Sequence, residues 1–233
     1  MTEQQKSSAQ LIYLILAALF IASLVTSNLI FQKFFYWYPF DITIFDVKLF
    51  ELSVGLLPYP ITFLITDILS EVYGKKKANQ VVIAGIFASF FSLLIIFVSK
   101  QVPATSWSQV NDETFLNVFG AAPLAVFASM MAYLFAQFID IRVYHFWKKL
   151  TKGKHLWLRN NFSTFTSQFI DTFTVLTLLC FFEIIAWNKF LGLLIGGVLF
   201  KICIAALDTP ILYIIVFWFR KKFNLKPGEE ITD

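Results

Sequence analysis

The sequence predicts an all-α integral membrane protein, a six-transmembrane-helix bundle forming one domain over residues 1–233. Three observations carry that expectation. The chain is 58% hydrophobic and only 15% charged, whereas a soluble domain holds about 25% charged residues. Apolar runs long enough for the roughly 20 residues of a bilayer crossing recur along its length, and mean hydropathy is +0.71. These runs do not alternate in polarity over about ten residues, as barrel strands must. Helices are then the remaining way to satisfy the backbone in lipid.

The spans fall near residues 10–31, 52–73, 80–98, 121–146, 161–187 and 190–219. The first is an apolar run closed by Ser27 and Asn28. The loop after it opens on Phe34, Phe35, Tyr36, Trp37 and Tyr38, a composition that suits a membrane interface. Residues Ile42–Phe50 alternate with polar positions around Asp46, which suggests a small β-hairpin over the outer face. The second span carries Pro58 and Pro60 in its outer half and ends in Lys75, Lys76 and Lys77. The polar stretch Ser99–Gly120, with Pro103, Trp107 and Asp112, reads as a partly ordered loop. The fourth span ends in a basic segment. The fifth and sixth exceed the length that a crossing needs, so they tilt, kink or protrude.

Lysine and arginine placement sets the direction. With both termini inside, fourteen basic residues fall on the inner side, among them Lys6, Lys75, Arg142, Lys148, Arg159 and Arg220. Four fall outside: Lys33, Lys48, Lys100 and Lys189. Such a bias places both ends of the chain in the cytoplasm. It also accounts for the net charge of +4 without a nucleic-acid partner. No short apolar leader with a small-residue cleavage site is evident.

Enzyme readings find little support. His145 and His155 lie toward the inner loop, too isolated for a triad or a metal site. Cys180 and Cys203 sit in apolar runs and read as small core hydrophobes. No metal-binding, phosphate-cradling or other cofactor motif is present.

The informative residues are polar ones inside spans, which are costly in lipid and usually face a cavity or a partner. In Asn160–Thr172, nine of thirteen residues are polar. Asn161, Thr164, Gln168 and Asp171, spaced 3, 4 and 3, share one helical face. Asn160 and Ser167 flank it, and Phe162, Phe165 and Phe169 lie opposite. Amides ending in a carboxylate both donate and accept hydrogen bonds, as a flat heterocycle requires; the competing reading is a polar seam joining helices. At about 1.5 Å per residue, Asp67, Asp140, Asp171 and Asp208 lie roughly 12–18 Å from the basic ends of their helices. Four carboxyls on four helices at similar depth suggest a shared polar cavity. Lys75 offers Glu71 an i, i+4 partner, and Arg142 or Arg159 could neutralise Asp67. Lys201 could snorkel outward or pair with Glu183. Pro58, Pro60 and Pro210 break or kink helices, either as the ordinary kinks of membrane helices, the commoner case, or as the interrupted helices that border transporter binding sites.

Three segments carry a family resemblance: YPITFLITDILSEVYGKKKA (Tyr59–Ala78), ASMMAYLFAQFID (Ala128–Asp140) and LWLRNNFSTFTSQFIDTFT (Leu156–Thr174). With SNLIFQK at Ser27–Lys33, they resemble the queuosine precursor transporter family, also called the vitamin uptake transporter family. One departure is Phe162, where a smaller residue is expected. The resemblance implies a bundle like the substrate-binding subunits of energy-coupling-factor transporters, set in the cell (inner) membrane. It implies uptake of a 7-deazapurine for salvage into tRNA modification: 7-cyano-7-deazaguanine, 7-aminomethyl-7-deazaguanine or queuine. By motif position it points to Asp67, Glu71, Gln137, Asp140, Arg159, Asn160, Gln168 and Asp171 as substrate-binding residues. An alternative is a binding subunit that needs separate ATPase and coupling subunits, for which Ala18 and Ala22 offer a close helix contact. The resemblance leaves open both these energy-coupling partners and a homodimer.

Overall fold

The computed structural model describes residues 2–31, 33–36, 42–44, 47–48, 51–120, 123–183 and 185–231. The architecture is a helical bundle with a small β ribbon at one end. Helix α1 (Glu3–Ile30) begins at a capping box: Gln5 N–H donates to Thr2 Oγ1, and Thr2 N–H to Gln5 Oε1. These two bonds satisfy donors that a helix start leaves open. Two antiparallel strand pairs follow, β1 (Phe34–Tyr36) with β4 (Glu51–Ser53) and β2 (Thr43–Ile44) with β3 (Val47–Lys48). The expected hairpin is therefore present at Thr43–Lys48, while Trp37, Tyr38 and Asp46 lie outside the described residues. The pairing of Phe34–Tyr36 with Glu51–Ser53 moves the second span. Residues expected to open that helix form β4 instead, then a 3-10 turn at Val54–Leu56.

Helix α2 (Tyr59–Val72) starts only after Pro58, with Pro60 in its first turn, where a missing N–H costs nothing. Its end is sharp. Gly74 takes φ +81°, a conformation that side chains disfavour, and α3 (Gly74–Ser99) departs at once. The stretch Ser99–Gly120 holds a helix, α4 (Asp112–Phe119), whose N-cap Asn111 accepts from Thr114 N–H at 2.7 Å. Asp112 and Glu113 in its first turn suit the positive end of the helix dipole. Helices α5 (Pro123–Leu150), α6 (Leu156–Phe181) and α7 (Trp187–Phe223) complete the bundle. Helix α7 runs 37 residues with Pro210 inside and ends at Asn224 in the left-handed region, with Arg220, Lys221 and Lys222 in its last turn. At about 1.5 Å per residue it is far longer than a bilayer core.

Five helical segments among the described residues are long and apolar enough to cross a membrane: α1, Val54–Val72, α3, α6 and α7. Their outward faces are apolar, with Leu14, Phe87, Phe91, Ile214 and Phe217 exposed. Cys203 belongs to such a face and is exposed, so the core reading holds for Cys180 alone. Phe162 is also outside, 45% exposed and 5.3 Å from the Trp147 ring. Its bulk therefore packs on the outer rim of the α5–α6 contact rather than in the buried face of α6.

The apolar core centres on Phe20, Leu24, Ile68, Leu69, Tyr144 and Phe219. Helix α6 packs most extensively against α5 and then α7. At the ribbon end, Gly55 lies hard against α1: Ser27 Oγ donates to Gly55 O, and Ser53 Oγ to Phe31 O. A Cβ at Gly55 would stand 2.7 Å from Ser27 O and 2.9 Å from Phe31 Cβ. Gly55→Ala is expected to destabilise the protein by about 1–3 kcal/mol through overpacking, seen as a lower melting temperature of the detergent-solubilised chain.

Candidate functional site: a polar column through the bundle

Buried polar residues form a column through α2, α5, α6 and α7, from the ribbon end to the lysine-rich end. On α6 the buried face comprises Arg159, Asn160, Ser163, Thr164, Ser167, Gln168, Asp171 and Thr172. Asn161 sits at its edge, half-buried, with Nδ2 donating to Trp157 O and Thr209 Oγ1.

At the ribbon end a cavity of about 180 Å³ opens between α1, α2, α6 and α7. Its walls are apolar, with Leu52, Leu56, Leu176 and Leu193, and its floor is polar, with Tyr59, Tyr133, Asp171 and Lys201. Tyr59 reaches the floor because α2 starts there. Its ring stands 4.6 Å from that of Tyr133, and its hydroxyl donates to Asp171 Oδ2 at 2.9 Å. Lys201 Nζ lies 2.7 Å from the same oxygen, donates to Thr172 Oγ1 at 2.9 Å, and stands 4.7 Å from the Tyr59 ring centroid. Lys201 thus neither snorkels nor pairs with Glu183, which is exposed at a left-handed turn. A buried ammonium in an apolar span takes the carboxylate one helix away, because an unpaired charge there is costly. Asp171 Oδ1 has no partner among the described residues.

Beneath this floor lies a void of about 20 Å³ that shares Leu56, Tyr59 and Lys201 with the chamber and borders Thr164, Gln168 and Asp208. Deeper still, Thr66 donates to Gln137 Oε1 at 3.2 Å, and Gln137 Nε2 to Tyr133 Oη at 2.7 Å. Ser167 donates to Asp140 Oδ1 at 2.9 Å. Asp67, 2% exposed, adjoins Asp140, 0% exposed. Asn160 Nδ2 donates to Thr209 Oγ1 at 3.3 Å. Among the described residues, the buried carbonyl and carboxylate oxygens Asp67 Oδ1, Asp140 Oδ2, Asn160 Oδ1, Gln168 Oε1 and Asp171 Oδ1, here and on the floor, lack a partner. Buried acceptors are rarely left so, and an excess of them suits a ligand rich in N–H donors.

At the lysine-rich end Glu71 is the hub. Its Oε1 takes Arg159 at 2.6 Å and Arg220 at 2.8 Å, while Oε2 accepts from Tyr144 at 3.1 Å and faces Lys148 at 3.7 Å. Three helices thus send cations to one carboxylate of α2. Lys75 is exposed, so the expected intrahelical partner gives way to buried ones. Arg159 goes to Glu71 rather than chiefly to Asp67, and Arg142 is exposed. The chain after α7 folds over this cluster. Glu230 pairs with Lys148 at 2.9 Å, and Ile231 N–H donates to Val72 O at 2.7 Å.

The eight residues expected from the sequence all lie on the column, but at three levels. Asp171 borders the chamber and Gln168 the void. Asp67, Gln137, Asp140 and Asn160 are packed beneath, and Glu71 and Arg159 close the far end. Of the four aspartates, Asp171 borders the chamber and Asp208 the void, whereas Asp67 and Asp140 are fully buried. Equal depth along straight helices had suggested otherwise; packing places Asp67 and Asp140 against each other. Tyr59, Tyr133 and Lys201 were missed as site residues, although a lysine inside an apolar run was a visible signal. A larger cleft of about 470 Å³ between α1, α3 and α5 is lined almost wholly by apolar side chains; it lacks carboxyls and suits lipid.

Residues 53–215 match the family model described as "Putative vitamin uptake transporter". The chain belongs to this family. The matched region contains the whole column except its closing tail and Arg220, so this is a transporter and not an enzyme. A protein of Bacillus subtilis (strain 168), named "Probable queuosine precursor transporter", is 29% identical over 170 residues, 72% of this chain and 73% of the relative. No solved structure matches the family member described here.

Proposed function

We propose that the protein imports a queuosine precursor, one of 7-cyano-7-deazaguanine, 7-aminomethyl-7-deazaguanine or queuine, across the cell membrane. The observation that carries this reading is the chamber floor: two tyrosines with ring centroids 4.6 Å apart and planes inclined by 58°, beside a buried carboxylate with one oxygen unengaged. A flat base can lie on the tyrosine rings, and its N–H edge can donate to Asp171 Oδ1. The volume is small beside drug-sized pockets of about 300–1,000 Å³, which favours a compact bicyclic molecule. The name of the Bacillus subtilis relative supports the same cargo.

In this reading α5 is the sixth span, since it is 28 residues long and packed in the bundle between α3 and α6. The lysine-rich end faces the cytoplasm, by the excess of basic residues there. The chamber then opens outward, and the Glu71 cluster closes the inner end. Opening that cluster releases cargo.

The test uses cells that cannot synthesise the precursor and scores queuosine in their tRNA after each precursor is supplied. Expression of this chain is expected to restore the modification. No restoration despite membrane expression would overturn the reading. Uptake by the purified chain alone in liposomes would show that separate ATPase and coupling subunits are not required.

A further inference from the structure

The column is unevenly charged. Between the chamber floor and the Glu71 cluster stand three carboxyls, Asp67, Asp140 and Asp208, and no cation of their own. Lys201 is committed to Asp171 at 2.7 Å. Arg159 reaches Asp67 electrostatically, but its guanidinium is bonded to Glu71 at 2.6 Å. Lys148 and Arg220 are also gathered around Glu71, with Glu230 beside Lys148. Even when the surplus cation of that cluster is counted, two negative charges remain unmatched if every carboxyl is ionised. Buried charges are normally paired.

A second observation points to what meets them. Thr164 and Gln168 are more than nine-tenths buried and line the void beside Asp208. Gln168 Oε1 nevertheless lacks a partner among the described residues. Thr164 stands beside Asp67, and Asp67 beside Asp140. An ammonium has three N–H donors and no acceptor. The unengaged acceptor oxygens Asp67 Oδ1, Asp140 Oδ2 and Gln168 Oε1 among the described residues match that number. The protein already holds one ammonium in this manner: Lys201 on Asp171, over the face of Tyr59, a geometry that favours cations.

We propose that the cargo crosses as a cation: a flat base bearing a protonated primary amine, whose ammonium passes from Asp171 to the Asp67–Asp140 pair. This rests on the transporter reading above and narrows it to 7-aminomethyl-7-deazaguanine, the precursor with a primary ammonium.

Calorimetry on the purified full chain tests it, with three probes: 7-aminomethyl-7-deazaguanine, its N-acetylated and therefore neutral derivative, and 7-cyano-7-deazaguanine. The amine is expected to bind at least about tenfold tighter than either neutral probe, as charge-assisted bonds allow. In Asp67→Asn/Asp140→Asn that preference is expected to fall to near one. Equal binding of all three by the natural chain would overturn the charge assignment and leave the transporter reading intact. A preference unchanged in the double variant would also overturn it. Should that variant not fold, the N-acetylated probe on the natural chain decides alone. Binding of none of the three would count against the transporter reading, and this inference would fall with it.

Discussion

Glu71→Gln is expected to yield little or no folded protein. Glu71 is 2% exposed and is approached by Arg159, Arg220, Lys148 and Tyr144. Without its charge Arg159, fully buried on α6, loses its carboxylate. Breaking a buried ion pair from one side costs about 3–5 kcal/mol, because the remaining charge stays desolvated. Two further cations here make the upper part of that range the expectation. Glu71→Gln/Arg159→Met removes both charges of the shortest ion pair in the cluster, leaving Lys148 with Glu230, and should recover much of the loss, since apolar replacement of a whole pair is often tolerated. The measurement is the monodisperse fraction and melting temperature in detergent. A fully stable Glu71→Gln would show that the cluster does not hold the lysine-rich end together.

Asp171→Asn should abolish uptake. It removes the charge that Lys201 and Tyr59 share and weakens the acceptor on the chamber floor. Instability is expected too, about 3–5 kcal/mol for the stranded ammonium. Asp171→Asn/Lys201→Met separates the two effects. Stability should return, since no unpaired charge remains, while uptake should stay absent because the floor still lacks its carboxylate. Normal transport by either variant would mean that cargo does not use this floor.

The sequence made the helices legible because each crossing needs a long apolar run. It also made most of the polar face of α6 legible, because spacing of three and four residues places Asn161, Thr164, Gln168 and Asp171 along one side, although it is Asn160 that is buried there and Asn161 that sits at the edge. Partners were not legible. Arg159 and Glu71 are 88 positions apart, and whether an arginine meets Glu71 or Asp67 depends on a one-turn slip between α2 and α6. Lys201 stood out as a charge inside an apolar run, but its choice of Asp171 over Glu183 is set by how α6 and α7 cross. Tyr59 entered only as the first residue of a family motif, with no role assigned to it. Its role follows from the late start of α2, where Pro58 and the β4 pairing hold residues 51–56 out of the helix.

The depth argument failed for a related reason. Counting residues from basic ends gives height along an axis but not azimuth. Asp67 and Asp140 share a level and face each other, whereas Asp171 turns to the chamber.

The most direct measurement is a structure determined with 7-aminomethyl-7-deazaguanine at saturating concentration. The base should rest on Tyr59 and Tyr133 with an N–H toward Asp171 Oδ1, walled by Leu176 and Leu193. A ligand lodged in the apolar cleft between α1, α3 and α5, with nothing on the tyrosine floor, would contradict the account.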